Sequence, residues 1–288
     1  MSTIVSVGNN TKAREAFTEV RSYSRKISNQ QNNRGSPMYN EEPETNTISE
    51  ADGKIYPLWA RCAAEFLGVM MFVFVGSCQG LTTYDGVLHA ALTHGFCIFV
   101  NVATFAHISG AHVNPAVTVG IAAARKISPV EALFYIISQM CGAVVGGLWV
   151  RSVLSYPQYV AIQGGATLCA PQTAWYQGLI AEALCTYFLM QTIFMTAVDG
   201  TTVLAPLAIG STVLMDIMAA GAISGASMNP ARSFGPNIVA SIFMHDKLAA
   251  NFWTLHWIYY VGPILGALIA AGVYKMLFSK DDRLEWKK

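Results

Sequence analysis

The sequence predicts an all-α membrane protein with six transmembrane helices and two re-entrant half-helices arranged as an inverted repeat. Three observations carry that expectation: a series of long apolar segments, a motif that occurs twice, and a short apolar stretch after each copy. Only 12% of the residues are charged and 53% are hydrophobic, whereas a soluble domain carries about a quarter charged residues. The net charge of +1 gives no reason to expect a nucleic-acid partner.

A span needs about 20 apolar residues to cross a ~30 Å hydrocarbon core. Segments 58–81, 87–108, 129–151, 175–198, 202–222 and 252–278 qualify. Asp85-Gly86, Ser128-Pro129 and Asp199-Gly200 separate neighbours, and the longest connection, 152–174, contains Pro157, Gly164-Gly165 and Pro171. Residues 1–57 are polar and are expected to form a disordered cytosolic tail, with 279–288 as a second cytosolic tail. Met1 to Val20 has no apolar core, so the first span is expected to drive insertion.

Orientation follows from Lys and Arg. Eight of the 18 lie between Lys12 and Arg61, two are Arg125 and Lys126, and five lie between Lys275 and Lys288. Arg151 and Lys247 fall on the other side, and Arg232 stands apart from both groups. With six spans, both termini are expected in the cytosol, the membrane being either the plasma membrane or an intracellular one. Five of the six cysteines (Cys62, Cys78, Cys97, Cys141, Cys185) sit in apolar runs and are expected as small buried hydrophobes. Cys169 falls in a loop expected to be exposed. No metal-ligand spacing, cofactor loop or nucleophile–base arrangement is visible, so neither a metal, a cofactor nor an enzymatic activity is expected.

The chain repeats itself. Ser109-Gly110-Ala111-His112-Val113-Asn114-Pro115-Ala116 returns as Ser224-Gly225-Ala226-Ser227-Met228-Asn229-Pro230-Ala231, Ala64-Glu65 returns as Ala181-Glu182, and Gly142 and Gly146 return as Gly262 and Gly266. The repeating units are 58–151 and 175–278. Each holds three spans, and an odd number forces the two halves into opposite orientations. The stretches 114–124 and 229–240 are too short to span. Pro suits a first helical turn and Asn is a favoured N-cap, so each motif reads as the start of a half-helix dipping into the membrane. An ordinary helix start in a loop is the alternative. Irregular backbone at membrane depth is tolerated only when buried in protein or lining a watery cavity, so two inverted half-helices imply such a cavity at the midplane.

The doubled motif, with Arg232 following the second copy in Asn229-Pro230-Ala231-Arg232-Ser233-Phe234-Gly235-Pro236, resembles the aquaporins over residues 58–278. The resemblance implies a channel domain over those residues, a homotetramer with one pore per subunit, and water with small neutral solutes as the permeating species. Asn114 and Asn229 would offer amide donors at the midplane. The half-helix N-termini add partial positive charge, interrupting proton conduction and repelling cations. Arg232 would stand one turn away as a fixed cation, a structural arginine being the alternative. Glu65 and Glu182 are expected to accept backbone N–H groups of the re-entrant loops.

By the same resemblance, four residues form the narrowest ring: His94, Ile217, Ala226 and Arg232. His94 opposite Ile217 is similar to the aquaporin-8 group and the plant tonoplast intrinsic proteins, and Asp216-Ile217 and His256-Trp257-Ile258-Tyr259 strengthen the aquaporin-8 likeness. That implies passage of ammonia and hydrogen peroxide besides water. A histidine packed away from the pore is the alternative for His94, and Asp216 has no assigned partner. Ser227 stands where the aquaporin-8 relatives carry Cys, so weak mercurial block is expected. Rival functions are a secondary transporter, which would normally place acidic ligands at mid-membrane, and a gated or junctional member with low flux. The basic, hydroxyl-rich patch Arg21–Ser28 could bind anionic lipid or be phosphorylated, against a merely solvated tail.

Overall fold

The computed structural model describes residues 56–81, 86–200, 202–248 and 252–280. The tails expected over 1–57 and 279–288, including the basic patch Arg21–Ser28, lie outside these residues apart from 56–57 and 279–280. The described residues form nine α-helices: α1 Leu58–Cys78, α2 Gly86–Ser109, α3 Pro115–Ala123, α4 Pro129–Val153, α5 Tyr156–Ala161, α6 Trp175–Ile193, α7 Ala205–Ala220, α8 Pro230–Phe243 and α9 Ile258–Val273. Short 3-10 and π-helical turns extend α1 to Leu81, α6 to Val198 and α9 to Phe278.

With those extensions, the helices beginning at Leu58, Gly86, Pro129, Trp175 and Ile258 are each long and apolar enough to cross a membrane. The sixth apolar helix, α7, has 16 residues, or about 24 Å at 1.5 Å per residue. It is shorter than the span expected over 202–222. Helical hydrogen bonding starts only after a turn in which the Ala205 amide donates to the Thr202 carbonyl (2.9 Å). It closes where the Gly221 amide meets Ile217 (2.8 Å). The last helix likewise begins at Ile258 rather than 252. Residues 252–257 form turns instead, with the His256 amide donating to Trp253 (3.1 Å) and Ile258 to Leu255 (3.1 Å).

The packing follows the repeat. α1 lies along α4 and α6 along α9, while α2 crosses α7 between them. Half-helix α3 packs against α9 and half-helix α8 against α4, so each half of the chain supports the other's re-entrant segment. Close approach needs small residues, because lipid supplies little hydrophobic drive between helices. A Cβ on Gly142 would meet the Phe66 carbonyl oxygen at 2.3 Å, and one on Gly266 the Ala183 oxygen at 2.1 Å. Gly95 and Gly210 do the same where α2 crosses α7, at 2.8 and 2.5 Å from each other's carbonyls.

The outward faces are apolar. Trp59, Leu133, Ile180 and Met218 are all exposed, as a bilayer-facing surface requires. This bears on the cysteines. Only Cys97 and Cys185 are buried, Cys62 and Cys78 are half-buried and Cys141 is exposed, so burial in protein was the wrong expectation for three of the five. An apolar run in a span fixes that a side chain avoids water, and lipid satisfies that as well as protein does. Cys169, expected to be exposed, is half-buried under Gly178 and lies 3.6 Å from the Tyr259 hydroxyl.

Gly142→Ala should destabilise the protein by about 1–3 kcal/mol through overpacking between α1 and α4. Gly272→Ala, where a Cβ would meet open space, should cost far less. Thermal unfolding of the two variants in detergent checks this, and equal midpoints would contradict the packing argument.

Candidate functional site: two facing half-helices

Each re-entrant loop is built around one buried carboxylate. Glu65 on α1 is fully buried. Its Oε1 accepts from the Ser109 hydroxyl (2.6 Å) and the His112 amide (2.9 Å), and its Oε2 from the Val113 amide (2.6 Å). Glu182 on α6, equally buried, repeats the pattern with Ser224 (2.7 Å), the Ser227 amide (2.9 Å) and the Met228 amide (2.7 Å). Each serine hydroxyl also accepts the amide two residues on, Ala111 or Ala226, at 3.1 Å. The carboxylates thus occupy backbone donors that no helix or sheet satisfies, each of which would otherwise cost several kcal/mol at membrane depth.

The loops are strained. Ala111, Val113, Ala226 and Met228 all have positive φ, at 48°, 42°, 45° and 54°. Left-handed backbone at a non-glycine residue costs roughly 1–3 kcal/mol. Three hydrogen bonds to a charged acceptor, at roughly 1.5–3 kcal/mol each, are of a size to hold two such residues per loop.

The strain has a product. It presents the Val113 and Met228 carbonyls to the opposite loop, where the Asn229 amide donates to Val113 (2.9 Å) and the Asn114 amide to Met228 (2.8 Å). Each Asn also caps its own half-helix. Asn114 Oδ1 accepts from Ala116 (2.8 Å), and Asn229 Oδ1 from Ala231 (3.0 Å) and Arg232 (3.2 Å). Pro115 and Pro230 fill the first helical positions, and Ala116 and Ala231 are fully buried behind them. The two N-termini therefore meet head to head. One N–H of each Asn amide is committed to the opposite carbonyl, leaving the second.

On one side of this junction lies a cavity of about 450 Å³, lined among others by Phe72, His94, Ile217, Ala226, Thr167 and Arg232. His94 faces this cavity. Its Nδ1–H donates to the Ala90 carbonyl (2.8 Å), which fixes Nε2 as the acceptor facing Arg232 Nη2 at 3.3 Å. Phe72 packs edge-on against the imidazole at 5.3 Å. Gly76 makes room for it, since a Cβ there would lie 2.4 Å from Nε2. On its other side, Arg232 Nη1 donates to the Gly165 carbonyl (3.2 Å) and to the Thr167 hydroxyl. The structure thus brings His94, Ile217, Ala226 and Arg232 to one cavity, with Ile217 and Ala226 as its apolar wall.

This constellation decides the family. A model described as Major intrinsic protein matches residues 54–274. The chain belongs to the major intrinsic protein family. The probable aquaporin TIP1-2 of Oryza sativa subsp. japonica is 40% identical over 238 residues, covering 77% of this chain and 88% of that protein. Aquaporin-4 of Mus musculus is 38% identical over 239 residues, covering 79% of this chain and 70% of its own. The X-ray structure of the aquaglyceroporin from Plasmodium falciparum superposes with a TM-score of 0.67 at 21% identity, covering 77% of this chain and 97% of that one, a likeness of fold. As a member of the major intrinsic proteins, the chain is a membrane channel for water and small solutes.

Several site residues of this major intrinsic protein escaped the sequence reading. Tyr135 and Tyr259 donate to the Ser109 and Ser224 carbonyls (3.0 and 2.7 Å), but they stand at different positions of α4 and α9, so the repeat does not mark them. Gln139 donates to Glu65 (2.8 Å) and to the Thr118 hydroxyl (2.9 Å), with no counterpart in the second half to reveal it. Gly165 and Thr167 sit in an irregular loop whose path no periodicity encodes. Asp216 is buried, and its Oδ2 has no hydrogen-bond partner among the described residues. Nothing in the structure explains that oxygen.

Glu182→Gln should turn a donor toward the Met228 or Ser227 amide and destabilise the protein by about 1.5–3 kcal/mol. A lowered thermal midpoint together with reduced water flux is expected, and full stability would contradict the clamp. Gly76→Ala should displace His94 and change solute selectivity while α1 stays folded. Comparison of solute and water flux in that variant checks it.

Proposed function

We propose that the channel passes water together with ammonia and hydrogen peroxide, and excludes protons and ions. The observation that carries this reading is the composition of the ring around the cavity. Arg232 and His94 form one polar side, while Ile217 and Ala226 leave the opposite side apolar and open. Of the five N–H donors of Arg232, three are committed to Gly165, Thr167 and His94. The remainder are available to a passing solute. A neutral amine or peroxide is close to water in size and hydrogen bonding, and the ring contains no second donor aimed at water alone. The same ring supports the likeness to the aquaporin-8 group.

Proton exclusion rests on the two Asn amides and the facing half-helix N-termini. A water passing Asn114 and Asn229 accepts hydrogen bonds there and turns its own hydrogens outward, which breaks a proton wire. The converging positive ends repel hydronium and metal ions. The channel body is assigned to 58–278, with halves 58–151 and 175–278, both termini in the cytosol and four copies in the assembly. The aquaporin resemblance and the Lys/Arg distribution support these assignments.

The test is stopped-flow on proteoliposomes, following osmotic shrinkage and ammonia-driven internal alkalinisation. The double variant His94→Phe with Ile217→His should keep water flux and lose ammonia entry by about tenfold, ~1.4 kcal/mol in barrier. Water flux without ammonia entry in the unaltered protein would overturn the selectivity reading and leave a water channel.

A further inference from the structure

Arg151 is one of two cations that the charge bias leaves on the face opposite the tails, and nothing in the pore assignment uses it. It stands in the last turn of α4. Its guanidinium carbon lies 5.9 Å from the Tyr156 ring centre, 5.5 Å from Tyr159 and 5.6 Å from Phe243. Nη1 reaches the Leu154 carbonyl at 3.5 Å, while Nε is buried without a hydrogen-bond partner among the described residues. The cation is therefore held chiefly by aromatic faces, a setting that suits the planar, weakly hydrated guanidinium.

The rings belong to two elements that matter for the constriction. Phe243 ends α8, the half-helix that carries Arg232 in its first turn. Tyr156 and Tyr159 belong to α5, which leads directly into the loop that holds Arg232. Tyr159 is fully buried, and a Cβ on Gly164 would lie 3.0 Å from its hydroxyl, so the loop packs down on this ring. Gln163, Gly164 and Gly165 then take left-handed backbone in succession, at φ of 51°, 66° and 80°. That reversal delivers the Gly165 carbonyl and the Thr167 hydroxyl to Arg232. At the far end, the Tyr156 hydroxyl donates to Asp246 Oδ1 at 3.3 Å, fixing α5 to the segment after α8.

We infer that Arg151 is a positioning residue for Arg232: its aromatic cage locks α4, α5 and the end of α8 together, and so sets where Gly165 and Thr167 hold the constriction cation. The inference rests on the reading of Arg232 as the cation of the narrowest ring. Selectivity then depends on a residue outside the pore. Loosening the cage lets the loop carrying Gly165 and Thr167 drift, and Arg232 follows its two acceptors.

The experiment is a double-variant cycle in proteoliposomes, measuring the ratio of urea and glycerol permeability to water permeability, with thermal unfolding as the folding control. Arg151→Gln should raise the ratio by about threefold or more. Arg151→Lys, which keeps the charge and loses the planar contact, should raise it less. In an Arg232→Ala background, which alone should raise the ratio, Arg151→Gln should add nothing. Should Arg151→Gln fail to fold, Phe243→Leu, which removes one ring of the cage, carries the same comparison. A merely structural Arg151 would lower solute and water flux together and leave the ratio fixed, and that result would overturn the inference. Equal effects of Arg151→Gln with and without Arg232 would overturn it too. An unmoved ratio in Arg232→Ala alone would reject the constriction reading, and this inference with it.

Discussion

Backbone polar groups at membrane depth must find partners inside the protein, and in this chain two buried glutamates supply them. Glu65 and Glu182 each take two consecutive amides and a serine hydroxyl of a re-entrant loop. Without these acceptors the loops would have to become helix, and a continuous helix would close the path. With them, the chain can stop at mid-membrane, hold left-handed backbone at Val113 and Met228, and turn those carbonyls across the molecular centre. The Asn114 and Asn229 amides then tie the halves together. Fold and site are consequences of the same hydrogen bonds.

The two halves are not copies. His112 Nδ1 contacts the Thr118 hydroxyl at 3.2 Å in the first loop, where Ser227 and Ser233 share a 2.6 Å hydrogen bond in the second. Gln139 braces Glu65 and has no equivalent beside Glu182. The second half-helix, α8, has 14 residues against nine in α3, and it alone carries Arg232. The shared parts keep the junction symmetric, while the divergent parts include Arg232 and the cavity it lines.

The sequence made the fold legible because duplication wrote each essential piece twice. The glutamates, the Ser-Gly-Ala-x-x-Asn-Pro-Ala motif and the close-packing glycines recur at offsets of 117, 115 and 120 residues, and recurrence near one spacing needs no knowledge of tertiary contacts. His94 and Ile217 enter through the family resemblance rather than through helical spacing, since irregular backbone separates each from its motif asparagine, and both line the cavity beside Arg232. Gly165 and Thr167 could not be reached by spacing either, since they lie in a connection with no period and no counterpart. The cysteines were misjudged for a different reason. Apolar surroundings in a span do not distinguish the lipid from the protein interior, so Cys141 could face outward at no cost. The short α7 and the late start of α9 show the same limit, since hydropathy marks apolar residues and not where helical hydrogen bonding begins.

The most direct test of the central claim, that two facing half-helices make a path for water and a barrier for protons, is to measure both in the same proteoliposomes. Osmotic shrinkage followed by stopped flow should be fast and only weakly dependent on temperature. Internal pH under an imposed proton gradient should relax no faster than in protein-free liposomes. Fast water flux accompanied by a proton leak would contradict the account, because the junction of Asn114 and Asn229 would then fail to interrupt the water chain. Absence of water flux from folded protein would contradict it more fundamentally.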